Sequence, residues 1–198
     1  MQIMQLDFKL TRDWTSYHYG LWDDFAPANI LEIGSFEGRS ALYWAQKPTT
    51  VSITCVDTWG GSEEHLDIDF KLAEQYFDYN ISFFPFITKI KQQSSIALAA
   101  LITKGIQYDW IYIDGSHKAH DVLTDAVMSF QLLKVGGHIL FDDYLFYDSY
   151  RFDDWGVTKK PDKLTSYPKT AIDSFINIFY DQLQIIHINR QVIVEKLQ

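Results

Sequence analysis

The feature that most constrains this chain is an alternation of short apolar runs with stretches of helical periodicity. The apolar runs have the length of β-strands and are rich in β-branched and aromatic residues. They lie at residues 29–33, 51–57, 86–92, 110–114, 138–142, 183–189 and 191–196. Strands that alternate with helices predict a mostly parallel sheet with helices on both faces.

Helical stretches fit between these runs at residues 39–46, 62–80, 94–103, 119–134 and 169–181. The fourth carries apolar residues at three- and four-residue steps, which gives one stripe for docking on a sheet. Gly136 and Gly137 are predicted to stop that helix and turn the chain into the fifth strand.

The last two strands are separated only by Asn189 and Arg190, which predicts an antiparallel hairpin at the sheet edge. The predicted fold class is therefore α/β, a three-layer sandwich whose seven-stranded sheet ends in an antiparallel C-terminal hairpin. Residues 144–168 have poor periodicity and are rich in Asp, Tyr and Lys, so we interpret them as a loop over the active site.

Length and charge narrow the function. A chain of 198 residues suits one domain, and a net charge of −9 with no cluster of basic residues argues against a nucleic-acid partner. The single cysteine, Cys55, lies in an apolar run and suits a reducing cytoplasm. We find neither a signal peptide nor an apolar run near the ~20 residues of a membrane span, so we expect a cytoplasmic protein without a membrane partner.

A glycine loop follows the first strand. Gly34 and Gly38 allow a sharp turn and a close approach of the backbone to a ligand, and Ser40 can satisfy amides at the start of the next helix. In sheets of this kind, ligands bind beyond the carboxyl ends of the strands, beside the first strand. The loop therefore predicts a nucleotide-sized pocket.

The spacing of this loop indicates which nucleotide it binds. A dinucleotide fingerprint would need glycines where the chain has Phe36 and Arg39. A P-loop would need Gly-Lys-Ser/Thr one residue later than the Gly-Arg-Ser at 38–40. Glu32 before the first glycine and Asp57 at the end of the second strand instead suit a cofactor with a ribose and an amino-acid tail. The Asp57 carboxylate can accept hydrogen bonds from both ribose hydroxyls.

Here the sequence resembles the class I S-adenosylmethionine (SAM)-dependent methyltransferases, which have a Rossmann-like fold, through its acidic-x-Gly-x-x-x-Gly pattern at 32–38. More narrowly, it is similar to the group that includes the macrocin-type sugar O-methyltransferases. The shared segments are VDTWGG at 56–61, YIDGSH at 112–117, GGHILFDDY at 136–144 and PKTAIDSF at 168–175.

The resemblance implies a single domain over 1–198, with a cofactor-binding core at 28–145, a substrate-covering loop at 146–168 and a final helix and hairpin at 169–198. It implies contacts with the methionine end of SAM, with its ribose and with its adenine. The residues for the methionine end are Glu32, Gly34, Ser35 and Gly38. Asp57 is assigned to the ribose, Thr58 and Trp59 to the surroundings of the ribose or adenine, and Ser94 to the adenine edge, while Ser40 is a further cofactor-site candidate.

Carboxylates end two neighbouring strands. Asp114 ends the fourth strand, and Asp142 and Asp143 end the fifth, so the three could meet at one divalent cation such as Mg²⁺. Consecutive strand residues point to opposite faces, so both Asp142 and Asp143 could serve only if the strand has already broken into a loop. A structural role for these carboxylates, in loop capping and backbone hydrogen bonds, is the alternative.

His117 lies three residues after Asp114, where catechol-type methyltransferases place a lysine base. An imidazole can take a proton near neutral pH, so we expect Asp114 and His117 to act in catalysis, with His120 a weaker candidate. A purely local hydrogen-bonding role for His117 is the alternative.

The hypothesis is a metal-assisted O-methyltransferase for a small hydroxyl compound such as a sugar. A SAM-binding protein without catalysis and a nicotinamide-dependent oxidoreductase remain as alternatives, and the chain is compatible with a homo-oligomer. We expect residues of the 144–168 loop to select the substrate: Tyr147, Tyr150, Arg151 and Trp155.

Overall fold

The computed structural model of the chain describes residues 7–11, 19–61, 68–146 and 167–198. Its seven strands form one sheet in the order β3-β2-β1-β4-β5-β7-β6. They are β1 Asn29–Ile33, β2 Ser52–Asp57, β3 Ile87–Lys91, β4 Tyr108–Ile113, β5 Leu133–Phe141, β6 Leu183–Ile188 and β7 Val192–Lys196. The first five are parallel, and β7 pairs antiparallel with both β5 and β6. The predicted fold class is confirmed, including the C-terminal hairpin.

Six helices cover the sheet in the described part of the chain. They are α1 Tyr19–Trp22, α2 Arg39–Ala45, α3 Phe70–Ile81, α4 Ser94–Thr103, α5 Ala119–Leu132 and α6 Pro168–Ile178. No helix among the described residues has the length and apolarity that crossing a bilayer requires.

Two apolar clusters lie on opposite faces of the sheet, which gives the three layers. On one face α4, α5 and α6 pack through residues such as Leu98, Phe130 and Phe175. On the other, α1, α2 and α3 contribute Trp22, Trp44 and Phe77. Burial of such large side chains stabilises each layer by about 1.5–3 kcal/mol per residue.

The start of β5 differs from the prediction. Helix α5 ends at Leu132 and β5 begins at Leu133, so the expectation that Gly136 and Gly137 stop this helix is wrong. The two glycines lie inside β5. Tyr108 pairs with Leu133 but Trp110 pairs with His138, so the chain bulges between these pairs.

The bulge explains the two glycines. Gly136 has φ +76°, and a Cβ on Gly137 would lie 3.0 Å from the Asp109 carbonyl oxygen. A positive φ and a close backbone approach are both conditions that favour glycine. A glycine pair can mark a bulge as well as a helix end, and the sequence alone does not separate the two.

The other helix boundaries agree with the sequence to different degrees. Helix α4 matches its prediction at both ends. Helix α3 begins at Phe70, with Asp69 as its N-cap, rather than at 62, and residues 62–67 lie outside the described part. Helix α6 ends at Ile178, three residues short of the predicted end at 181. Most of the loop expected at 144–168 also lies outside the described residues, including Tyr147, Tyr150, Arg151 and Trp155.

Candidate active site

The glycine loop lies at the carboxyl end of β1, beside the end of β4. Gly34 and Gly38 have φ of +88° and +85°, and Phe36 between them has φ +47°. A Cβ on Gly34 would lie 2.0 Å from the carbonyl oxygen of Asp114. The loop can therefore pass the end of β4 only because residue 34 has no side chain.

We expect Gly34→Ala to disrupt this site. The new methyl group would collide with the backbone of Asp114 at a positive φ, so the loop or the end of β4 must move at a cost of several kcal/mol. Thermal unfolding should show a marked fall in Tm. Gly105→Ala is the matched control, because Gly105 also has a positive φ of +66° but has open space around its Cβ position. A Gly34→Ala variant no less stable than Gly105→Ala would contradict this account.

Glu32 and Ser40 meet beneath the loop. The Glu32 side chain is buried, and its carboxylate accepts hydrogen bonds from the Ser40 hydroxyl and from the Cys55 thiol at 3.4 Å. Burial raises the pKa of Glu32 to about 7. The structure thus brings these two predicted residues together, and their part in cofactor binding stays a prediction.

Asp57 holds the glycine loop closed. Its Oδ2 accepts from the backbone N–H groups of Ser35 and Phe36, each at 2.9 Å, and its Oδ1 accepts from the N–H of Trp59 at 2.7 Å. Sequence reasoning had assigned Asp57 to ribose hydroxyls and missed these three contacts. A carboxylate has about four acceptor positions, so binding the loop leaves capacity for a further donor.

The other predicted cofactor residues lie around this loop. Trp59 is 5% exposed, packs on Phe77 with ring centroids 4.7 Å apart, and donates its indole N–H to the Phe36 carbonyl at 2.8 Å. Thr58 is exposed, and its hydroxyl accepts from the Gly60 N–H. Their contact with a ribose or adenine stays a prediction.

Ser94 is the first residue of α4 and follows β3, as expected for a residue at the adenine edge. Its side chain is hydrogen-bonded to Asp125, a buried carboxyl on α5. Burial raises the pKa of Asp125 to about 6. The structure therefore shows a helix-to-helix contact for Ser94, and its contact with adenine stays a prediction.

A second cluster lies at the ends of β4 and β5. One ligand atom from each of Asp114, His117 and Asp143 lies within 4.8 Å of the other two. Strand β5 ends at Phe141 and Asp143 has φ +57°, so the strand has broken into a loop before Asp143, as the prediction required. The three side chains offer two carboxylates and an imidazole, a donor set that fits a divalent cation.

His117 is oriented by two neighbours. Its Nε2 lies 2.8 Å from Asp143 Oδ2, and its ring packs on Phe146 with centroids 4.2 Å apart. The His117 side chain is 12% exposed. His120, in contrast, is 76% exposed and lies 3.3 Å from Asp121, so it points away from this cluster.

Asp142 lies next to this group but has different partners. Its Oδ1 accepts from the Asp143 N–H at 2.8 Å, and its Oδ2 accepts from Tyr112 and from Gln191 Nε2 at 3.2 Å. The sequence had placed Asp142 with Asp114 and Asp143 as a metal ligand. The described geometry instead groups His117 with those two residues.

Tyr112 and Gln191 are functional candidates that sequence reasoning missed. The Tyr112 hydroxyl lies between the carboxylates of Asp142 and Asp114, at 2.8 Å from the latter. Gln191 also accepts from the Trp22 indole N–H at 3.2 Å. The only signal for Tyr112 was its position two residues before Asp114, on the same face of β4. The sequence signal for Gln191 was weaker, a polar residue at the start of an apolar run, and the structure shows that it is buried.

These carboxylates repel one another. Burial raises the pKa of Asp114 well above its usual range, and the nearby charges of Asp142 and Asp143 raise it further. The Tyr112 hydroxyl donates to both carboxylates and has one proton to share between them. A site with such excess negative charge is suited to a cation.

Comparisons with known proteins agree with this fold. A family model described as a methyltransferase domain matches residues 31–144, which span the glycine loop and both acidic strand ends. Among curated proteins, the O-methyltransferase hkm8 of Aspergillus hancockii is 33% identical over 119 residues, covering 59% of this chain and 43% of hkm8. The chain spans about half the length of the curated relatives it matches.

Two solved structures share the fold. The O-methyltransferase TomG from Streptomyces achromogenes, solved in complex with SAM, matches with a TM-score of 0.63 and 13% identity, over 87% of this chain and 74% of TomG. The MycE methyltransferase of the mycinamycin pathway, solved with Mg and SAH, matches with a TM-score of 0.58 and 19% identity, over 91% of this chain and 48% of MycE.

The sheet order and the surrounding helices give a Rossmann-like fold that these two solved methyltransferases share. The chain belongs to the methyltransferase-domain family, because the family model covers more than half of its length.

Proposed function

We propose that this chain is a SAM-dependent O-methyltransferase that acts on a small hydroxyl compound with the help of a divalent cation. The observation that carries the proposal is the position of two sites at one edge of the sheet. The glycine loop and the acidic cluster are adjacent, since Gly34 packs directly against the backbone of Asp114.

The cofactor site comprises Glu32, the loop from Gly34 to Gly38, and Asp57. SAM, when bound, would supply a methyl group on a sulfonium sulfur for in-line transfer to a substrate oxygen, with the thioether as the leaving group. The chain's task is to fix the loop, and the hydrogen bonds from the Ser35 and Phe36 N–H groups to Asp57 do so. The absence of phosphate-binding spacing at this loop disfavours a nicotinamide-dependent oxidoreductase.

Asp114 and Asp143 would hold the cation, with His117 next to both. A divalent cation, when bound, lowers the pKa of a coordinated substrate hydroxyl. We assign His117 as the group that takes the hydroxyl proton, because Asp143 accepts a hydrogen bond from the imidazole and so fixes its orientation. The geometry also allows His117 to act as a third ligand.

His117→Ala separates these two roles. If His117 is the base, turnover should fall by about a hundredfold or more while Mn²⁺ affinity, measured by calorimetry, stays within a few fold of the wild type. A parallel loss of Mn²⁺ affinity would show that His117 is a ligand. His120→Ala is the matched control, because that imidazole points to solvent, and it should leave both quantities unchanged.

Chelation tests the role of the cation. We expect EDTA to abolish methyl transfer and an excess of Mg²⁺ or Mn²⁺ to restore it, because the acidic cluster needs a counter-charge before a hydroxyl can be activated there. Binding of S-adenosylhomocysteine (SAH) should persist in EDTA. Full turnover in EDTA would contradict the metal-assisted mechanism and leave the cofactor site unaffected.

Two further experiments address the alternatives. Titration with SAH and with NADH should show binding of SAH alone, and NADH binding would favour an oxidoreductase. A SAM-binding protein without catalysis would bind SAH yet transfer no methyl group to sugars or other small alcohols. We place the reaction in the cytoplasm, since the one cysteine of the chain is buried and the chain has no second cysteine for a disulfide.

A further inference from the structure

The described N-terminal segment, residues 7–11, lies across the cofactor loop. Within the loop, Glu37 is 3% exposed. Its Oε2 accepts from the Thr11 N–H at 2.8 Å, and its Oε1 accepts from the Thr11 hydroxyl at 2.5 Å. Both oxygens of a buried carboxylate in the loop are thus used to bind a residue 26 positions earlier.

Asn80 connects the N-terminal segment, the cofactor loop and helix α3. This α3 residue is fully buried; its Oδ1 accepts from the Lys9 N–H, and its Nδ2 donates to the Lys9 carbonyl and to the Glu37 carbonyl. These bonds measure 2.8–2.9 Å. One amide therefore pairs with the segment as a neighbouring strand would and binds the loop at the same time.

The segment also contacts aromatic side chains in and just after α3. Residues 7–11 lie in no helix or strand. Phe8 packs edge-on to Phe83 at 6.2 Å, and the Lys9 ammonium lies 4.2 Å from the centre of the Tyr79 ring. These contacts anchor the segment on α3 and on the residues that follow it, and Thr11 links the segment to the loop.

The loop is held at both ends. Asp57 binds the N–H groups of Ser35 and Phe36 at its start, whereas Asn80 and Thr11 bind Glu37 near its end. A loop with positive φ at three positions is conformationally demanding, and tertiary contacts are needed to keep it in one state.

We propose that residues 7–11 form a strap that holds the cofactor loop in its binding conformation, with Glu37 and Asn80 as positioning residues. The inference rests on the proposed binding of SAM at this loop. If the strap and the cofactor both favour the same loop conformation, each must strengthen the binding of the other. Loss of the strap lowers the fraction of molecules whose loop is in the binding conformation. The apparent affinity for the cofactor falls in the same proportion.

Thr11→Val tests the strap without removing a core side chain. The variant loses the hydroxyl that donates to Glu37 and keeps the backbone N–H. We expect SAH affinity, measured by calorimetry, to fall about three- to tenfold. Thr103→Val is the matched control, because this exposed threonine donates to Ala99 on α4, far from the loop in sequence, and its affinity should match the wild type.

Hydrogen exchange supplies a readout that loss of stability would not mimic. In the wild type, SAH should slow exchange of the Lys9 amide, which donates to Asn80, and of the Thr11 amide, which donates to Glu37. In Thr11→Val, that protection should shrink while protection in the β1 core is unchanged. Glu37→Gln should also weaken SAH binding. The double variant should bind SAH at most about twofold more weakly than the weaker-binding single variant.

The outcomes are distinct. If wild-type protein binds no SAH, the proposed function fails and this inference with it. If the wild type binds SAH but Thr11→Val binds equally well, or SAH leaves exchange at Lys9 and Thr11 unchanged, the strap is overturned and the proposed function stands. Additive losses in Thr11→Val and Glu37→Gln would show that the two residues act separately, which also overturns it.

Discussion

Asp57→Ala is expected to weaken SAH binding by at least about a hundredfold. The substitution leaves three backbone N–H groups without their acceptor, two of them in the cofactor loop. A hydrogen bond to a charged group contributes about 1.5–3 kcal/mol, and loss of two such bonds exceeds the ~2.8 kcal/mol that corresponds to a hundredfold. Calorimetric titration with SAH measures the change directly.

The control for Asp57→Ala is Asp23→Ala. Asp23 is an exposed carboxylate that pairs with Lys47 and Tyr43, so its removal should leave SAH affinity within about twofold of the wild type. Circular dichroism should confirm that Asp57→Ala retains its secondary structure. Wild-type affinity in a folded Asp57→Ala protein would refute both the loop-closing role and the proposed cofactor site.

Asp114→Asn is expected to lower methyl transfer by about a thousandfold or more, while SAH affinity changes by only a few fold. Asp114 offers a carboxylate oxygen to the candidate cation site and lies beside the predicted base His117. Loss of one group that stabilises charge in a transition state typically costs about a hundred- to a thousandfold, and loss of a metal ligand adds to it. Turnover and Mn²⁺ affinity should be measured on the same preparation.

A comparison of Asp142→Asn with Asp143→Asn identifies the ligands. We expect Asp143→Asn to weaken Mn²⁺ binding by more than about tenfold. Asp142→Asn should have a smaller effect, because an amide can still accept from Tyr112 and because Asp142 lies outside the group of converging ligand atoms. Equal losses would restore Asp142 as a direct ligand, as the sequence suggested, and no loss in any variant would refute the cation site.

Much of the fold follows from local pattern. Strand β1 and helix α4 match their predicted ends, since an apolar run of strand length and a helix that begins at a serine are signals carried by adjacent residues. The C-terminal hairpin was predictable because two residues leave no room for a crossover between parallel strands. The bulge in β5 was not, because it depends on how Tyr108 and Trp110 of β4 pair across the sheet.

Part of the candidate site could likewise be predicted from the sequence, and part could not. Asp114 and Asp143 could be expected to meet, because the carboxyl ends of adjacent parallel strands lie at one edge of the sheet. The partners of Asp142 could not be expected. Tyr112 precedes Asp142 by 30 residues and Gln191 follows it by 49, and whether their side chains converge depends on the pairing of β5 with β4 and β7.

By itself, the sequence determined the order of strands and helices, the glycine loop and the chemical types at the strand ends. These are properties of short windows, where periodicity, glycine spacing and residue type act locally. Only the tertiary structure decided that Asp57 closes the loop, that Asp142 faces Tyr112, and that Thr11 binds Glu37. Each of these contacts joins residues far apart in the chain, and a buried polar group takes its partner from whatever packing places within hydrogen-bonding distance.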